Sequence, residues 1–270
     1  MAEFHDLAEL ALNRDNQSWG NLGYWKSETE YSDACRALAL LLGEQAGLDS
    51  QSKVFDAGFG CGDQLLLWLT HFRVAEVRGV NLSCSQTAYA RGKLSEAGFE
   101  ATAIVQGDIN DSETWHATLD GNRPSHVLAL DCAYHFPSRL AFVTLAHQHL
   151  ASAGRIALTD FMLSDRRRTG SITHQLLRWM LRRSHIAEAN IVHRSRYLDQ
   201  LRTAGFEEVK IIDISEHVMT GFARFVRSFP ASAKAGWQAR LKYAVTGRFL
   251  QWAYRRSILR YCLISATKSG

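Results

Sequence analysis

The stretch KVFDAGFGCGDQ, Lys53 to Gln64, decides the fold. Val54 and Phe55 read as the end of a short buried strand, Asp56 and the glycines at 58, 60 and 62 force a tight turn, and LLLWL then begins a helix. Glycine serves such a turn in two ways: it accepts positive φ, and it lets backbone approach a ligand with no side chain between. A ligand cradle is therefore expected at the carboxyl end of a first strand. A dinucleotide fingerprint begun at Gly58 would need glycine at position 63, where Asp63 stands, and this disfavours a nicotinamide cofactor.

Working outward, the chain supplies the rest of an alternating sheet. Tyr31 to Gly47 has helical apolar periodicity and ends at glycine before the first strand. Beyond the cradle helix come a second strand, Glu76 to Val80, with its helix, and a third, ATAIVQGDI, ending in Asp108. A fourth, SHVLALDCAYHF, runs into the helix PSRLAFVTLAHQHL, and the fifth, GRIALTDFML, follows. A helix, glycine break and sixth strand lie in residues 194–215, and RYCLISATK is the last strand. Parallel strands joined by helices imply a Rossmann-like, doubly wound α/β fold with seven mainly parallel strands and ligands at the carboxyl edge.

Length and composition are consistent with one domain over residues 1–270. It divides into amino-terminal lid and helices (1–50), a binding core (51–163) and two helical cap insertions (164–195 and 216–257). With 46% hydrophobic and 21% charged residues the chain reads as soluble and globular. The start, MAEFHDLAELALNRD, places a short helix around FHDLAELAL and lacks the basic, then apolar, pattern of a signal peptide. No stretch approaches the roughly twenty apolar residues of a membrane span. A cytoplasmic location follows, with peripheral membrane contact left open. The five cysteines are scattered, without zinc-site spacing, and read as buried thiols. After Glu216 there is no Asp or Glu, while ten Lys and Arg follow, so the carboxyl-terminal fifth is strongly basic.

The motifs now carry a resemblance. DxGxGxG, Asp56 to Gly62, resembles motif I of the class I methyltransferases that use S-adenosylmethionine. GVNLSCSQ, Gly79 to Gln86, looks like the GxxLSxxQ signature of the branch containing cyclopropane fatty-acid synthases, sterol methyltransferases and tocopherol methyltransferases. The resemblance implies S-adenosylmethionine as cofactor, held by Asp56, Gly58, Gly60, Gly62, Asn81, Leu82 and Gln86. The Gly107-Asp108 pair resembles the position whose carboxylate faces the adenine amine, with Ile109 on the ring face. DCAYHFP resembles the motif after strand four, which puts Asp131, Tyr134 and His135 in the reacting pocket. WGNLGYW, Trp19 to Trp25, is either a plug of Tyr24 and Trp25 against the core or, as in the family, a segment folded over the cofactor with Tyr24 beside the methyl. The usual LxPGG before strand five is LASAGR here, which reshapes a turn.

The chemistry implied is an in-line methyl transfer, in which the enzyme aligns acceptor and methyl and excludes water. His135 is the candidate base for a protic acceptor, with Tyr24 and Tyr134 orienting it. For a carbon acceptor reacting through a cation, aromatic faces and Asp131 would serve instead. The insertions carry RRR at 166–168, an amphipathic helix SITHQLLRWMLRRSH, and FARFVRSF and WQARLKYAVTGRFLQWAYRR. In the family such insertions house the acceptor. Trp179, Phe222, Phe225, Phe229, Trp237, Tyr243, Phe249 and Trp252 supply apolar area, and the arginines disfavour a cationic acceptor. An amphipathic small molecule is expected: prenylated, terpenoid, acylated or aromatic. Nucleic acid is disfavoured because the basic residues alternate with bulky apolar ones. No metal is expected. A non-catalytic module that binds S-adenosylmethionine and a nicotinamide-dependent oxidoreductase are the alternatives.

Overall fold

The computed structural model describes residues 12–13, 17–100, 103–165, 171–228 and 237–270. The expected helix around FHDLAELAL lies almost wholly outside them, as do the arginines 166–168 and Phe229. The core is one sheet of strands β1 (Lys53–Ala57), β2 (Glu76–Asn81), β3 (Ile104–Gln106), β4 (His126–Ala129), β5 (Arg155–Leu163), β6 (Phe206–Asp213) and β7 (Leu259–Lys268). Their order is β3-β2-β1-β4-β5-β7-β6, with β7 antiparallel to both neighbours and the other pairs parallel. This is the Rossmann-like, mainly parallel, seven-stranded sheet that the sequence implies.

The strands are apolar along their length because helices cover both faces. Val54 packs into one core layer and Phe55, its neighbour, into the other, as the two-residue period of a strand requires. Phe55 stacks on Trp115 at 4.1 Å between ring centres. That second layer is closed by α4 (Ser112–Leu119), α5 (Arg139–His149) and α7 (Arg194–Thr203). The first is closed by α1 (Tyr31–Ala46), α2 (Asp63–Leu67), α3 (Cys84–Glu96) and the amino-terminal segment.

The insertions fold as expected into α6 (Ser171–Arg183), α8 (Gly221–Ser228) and α9 (Trp237–Arg255). They pack on the same side as the amino-terminal segment: Phe222, Leu250 and Ala253 join the first core layer, and Trp25 stacks on Phe225 at 4.7 Å. Among the described residues, no helix is long and apolar enough to cross a membrane. The strand order reverses between β1 and β4. In a doubly wound sheet, the crevice outside the strand ends at that reversal is where ligands bind.

Candidate active site

A cavity of about 340 Å³ lies at this switch point, between the sheet edge and the cap. Its floor is the loop from Gly58 to Gln64, and each glycine there has its own task. A Cβ on Gly58 would meet Cys132 Sγ at 2.8 Å, and one on Gly62 would meet Ala90 Cβ at 2.9 Å, so both let chain elements approach closely. A Cβ on Gly60, at φ +57°, would meet nothing within 4 Å. Gly60 therefore keeps space open for a ligand.

Asp56 does not line the cavity, which corrects the expectation that it contacts the cofactor. It is buried beneath the loop, where its carboxylate accepts from Gln64 Nε2 (2.8 and 3.0 Å) and Trp68 Nε1 (2.6 Å). Burial pushes its pKa up to about 6, against the pull of the Trp68 and Gln64 hydrogen bonds. Gln64 does reach the cavity, so Asp56 acts on the floor through it.

The remaining sheet-edge residues are brought together as the motifs imply. Asn81, Leu82 and Gln86 follow β2, and Asn81 Nδ2 donates to Gln86 Oε1 at 3.2 Å. Leu82 is 71% exposed, an apolar side chain held at the rim. Asp108 and Ile109 follow β3; the Asp108 carboxylate is exposed and accepts the Asn110 N–H at 2.9 Å. Open space over Gly60, an acceptor carboxylate and an apolar rim fit S-adenosylmethionine: room for the methionine end, a partner for the adenine amine, and a surface for the ring.

After β4, Asp131 adopts a left-handed backbone, φ +55°, and turns its carboxylate into a dense network. Oδ1 accepts from Tyr134 (2.8 Å) and Tyr261 (2.5 Å), and Oδ2 from the Leu22 N–H (2.6 Å). Burial raises its pKa to about 6, opposed by these donors. Burial, then the charge of Asp131, push the Tyr134 and Tyr261 phenols well above their usual range. Cys132, beside them, is raised by burial and the charges of Asp56 and Asp131, so its thiol keeps its proton.

The amino-terminal segment Ser18–Leu22 crosses the cavity as a strap pinned at both ends. Leu22 is held by Asp131. Ser18 donates through its N–H (3.0 Å) and hydroxyl to Asp63, which also pairs with Lys93 Nζ at 2.7 Å. Tyr24, expected beside the methyl group, is not in the cavity wall: its ring meets His217 edge-on at 5.1 Å. Trp19, Asn21, Leu22 and Tyr31 line the cavity in its place. Leu22 and Tyr261 carry no signal in the sequence, because each joins the site through a partner more than a hundred residues away.

His135 ends a single turn, Ala133–His135, and lines the cavity where the sheet edge meets the cap. The same cavity is lined by Phe161, Met180, Leu181, Ile186, Phe222 and Phe249, with Tyr243, Thr246 and Lys242 from α9. Of the aromatics assigned to the cap, Phe222, Tyr243 and Phe249 line the cavity. Phe225 and Trp252 pack against the core, and Trp179 is 53% exposed. The side chain of Trp237 lies outside the described residues.

Sheet order, glycine cradle and strand-end residues together give the fold seen in class I S-adenosylmethionine-dependent methyltransferases. Comparison with known proteins agrees. No protein-family model matches the chain. It is 31% identical over 204 residues to the erythromycin 3''-O-methyltransferase of Saccharopolyspora erythraea, a match covering 74% of this chain and 65% of that protein. The chain thus spans just under two thirds of that relative's length. It is 26% identical over 269 residues to the 27-O-demethylrifamycin SV methyltransferase of Amycolatopsis mediterranei, covering 94% and 92%. Its fold is similar to that of the cyclopropane synthase MmaA2 of Mycobacterium tuberculosis, with TM-score 0.76, 15% identity and 98% and 95% coverage. The chain resembles the class I S-adenosylmethionine-dependent methyltransferases and shares the fold of their cyclopropane-synthase-like branch.

Proposed function

We propose that the protein transfers a methyl group from S-adenosylmethionine to a hydroxyl oxygen of a large, mostly apolar small molecule. The observation that carries this reading is the placement of His135 on the seam of one continuous cavity, between the Gly60 floor and the apolar cap wall. When bound, the donor supplies a methyl group already activated on a positively charged sulfur. What remains for the chain is to seat the acceptor, exclude water and remove one proton. In the transfer the acceptor oxygen forms a bond to the methyl carbon, the carbon–sulfur electron pair stays on sulfur, and the hydroxyl proton passes to His135.

The activities of the two relatives, at O-3'' of erythromycin and O-27 of a rifamycin, favour an oxygen acceptor over the carbon acceptor that Asp131 would have served. Asp131 accordingly acts as a pin for the strap and for two phenols. The apolar wall suits a polyketide-like, prenylated, terpenoid, acylated or aromatic skeleton. Peripheral contact with anionic membranes is a second reading of the cap exterior: Leu176, Trp179, Leu241 and Val245 are exposed beside Arg183 and Arg248.

The test is transfer of labelled methyl to a panel of hydroxylated metabolites. His135→Ala should lower turnover by roughly 100-fold or more while leaving S-adenosylhomocysteine affinity unchanged. Cofactor binding without transfer to any of the panel would favour a non-catalytic module, and binding of NAD instead would favour an oxidoreductase.

A further inference from the structure

The turn that carries His135 is gripped by the segment leaving α6. That helix ends in a paired cap: Ile186 N–H donates to Leu181 O at 2.9 Å, and His185 N–H to Arg182 O at 3.1 Å. This pattern places a left-handed residue at the position after the helix, usually glycine. Here it is His185, at φ +51°. The apolar contact expected with such a cap is Ile186 on Leu181, both of which line the cavity. The geometry leaves the His185 carbonyl 3.4 Å from His135 Nδ1.

Five residues on, Asn190 is 3% exposed and brackets the same histidine along its backbone. Its Nδ2 donates to Phe136 O at 2.7 Å and to Tyr134 O at 3.3 Å, the carbonyls on either side of His135. Its Oδ1 accepts the Arg139 N–H at 2.9 Å, at the start of α5. Both N–H groups of this buried amide are therefore spent on the turn that presents His135, and its oxygen on the start of α5.

We propose that His185, through its carbonyl, and Asn190, through its amide, are positioning residues that fix His135 as a base at Nε2. A carbonyl oxygen only accepts, so the bond to His185 requires the proton on Nδ1 and leaves Nε2 with the lone pair. Asn190 fixes the backbone from which the ring projects. In the reaction Nε2 takes the acceptor hydroxyl proton, Nδ1 keeps its own, and the imidazolium returns the added proton to water after product leaves. Because His185 closes a cap helix, the base is set in its tautomer by the element whose Met180, Leu181 and Ile186 wall the acceptor chamber. The chamber and the base are assembled together. The inference rests on the reading of His135 as the base.

The test uses the full chain with ¹⁵N-labelled histidine, the His135 signals being assigned by difference against His135→Gln. The expected spectrum shows Nδ1 protonated and Nε2 unprotonated. Asn190→Ala should mix the two tautomers and lower kcat about tenfold with acceptor KM and S-adenosylhomocysteine affinity unchanged. His185→Gly suits the left-handed backbone and should retain the wild-type spectrum, whereas β-branched His185→Val should displace the carbonyl and mix the tautomers. A wild-type His135 protonated at Nε2 overturns the proposal. So does one unmixed tautomer in both Asn190→Ala and His185→Val when only their melting temperatures fall. If the tautomer behaves as expected but His135→Ala keeps full turnover, the base reading fails, and with it the assignment of the clamp to catalysis.

Discussion

The sheet edge and the cap solve the same problem, holding part of one cavity, with different materials. At the sheet edge, backbone turns after β1, β2, β3 and β4 deliver single residues to fixed points, and buried polar pairs such as Asp131 with Tyr261 lock them. In the cap, whole helix faces supply apolar side chains. The first arrangement suits a ligand of constant shape, because each hydrogen bond discriminates by direction. The second suits an acceptor selected by volume, where one added or lost methylene changes affinity only modestly.

The comparison breaks most readily at Gly60. Gly60→Val should abolish S-adenosylhomocysteine binding by isothermal calorimetry, weakening it by more than about 100-fold, because the side chain would enter the open space above the floor loop. The left-handed φ of +57° adds a strain of about 1–2 kcal/mol, so the folded protein should persist. Wild-type affinity in a folded variant would show that the floor does not hold the donor.

Next is the buried support of that floor. Asp56 has a folded pKa of about 6, above the ordinary carboxylate value, so between about pH 4 and pH 6 the folded state holds a proton the unfolded chain has lost. This group makes stability fall as pH rises through that window and contributes no further change above it. Asp56→Asn removes the titration. Its deficit relative to wild type in urea unfolding should therefore be largest near pH 4 and shrink by about 2–3 kcal/mol by pH 7. A constant deficit across that range would mean that Asp56 is ionised throughout.

The smallest effect sharpens the boundary between the regions. Tyr24→Phe removes a hydroxyl outside the cavity wall, so donor affinity and turnover should stay within about twofold of wild type. A large fall in turnover would place the phenol in the reaction after all.

Legibility in the sequence followed the same division. The cradle, the seven-stranded sheet and the presence of Asn81, Leu82, Gln86, Asp108 and Ile109 in the cavity wall were readable because spacing along one strand-turn-helix unit fixes which residue reaches the edge. Asp56 was misjudged within that unit. An acid closing a strand reads as a ligand contact, yet its carboxylate meets Gln64 and Trp68, eight and twelve residues downstream. In the strap, the choice between Tyr24 and Leu22 depends on a backbone N–H finding Asp131, 109 residues on, and composition favours the aromatic. Asn190 gave no signal, since a lone asparagine in a loop looks the same whether it faces solvent or grips a turn. For the cap aromatics, helical spacing predicted which share a face but not whether that face meets the chamber, the core or water.

The bond between Tyr261 and Asp131 spans 130 positions and comes from the last strand, inserted between β5 and β6. During synthesis, at about 5–20 residues per second, Asp131 is added roughly 6.5 to 26 s before Tyr261. The nascent chain can pair β1 with β2 and β4 in that interval, but the carboxylate that holds the strap still lacks one of its two phenols. The donor pocket is thus finished only after β7 has been made, and the growing polypeptide cannot hold the strap in its final geometry before that strand is in place.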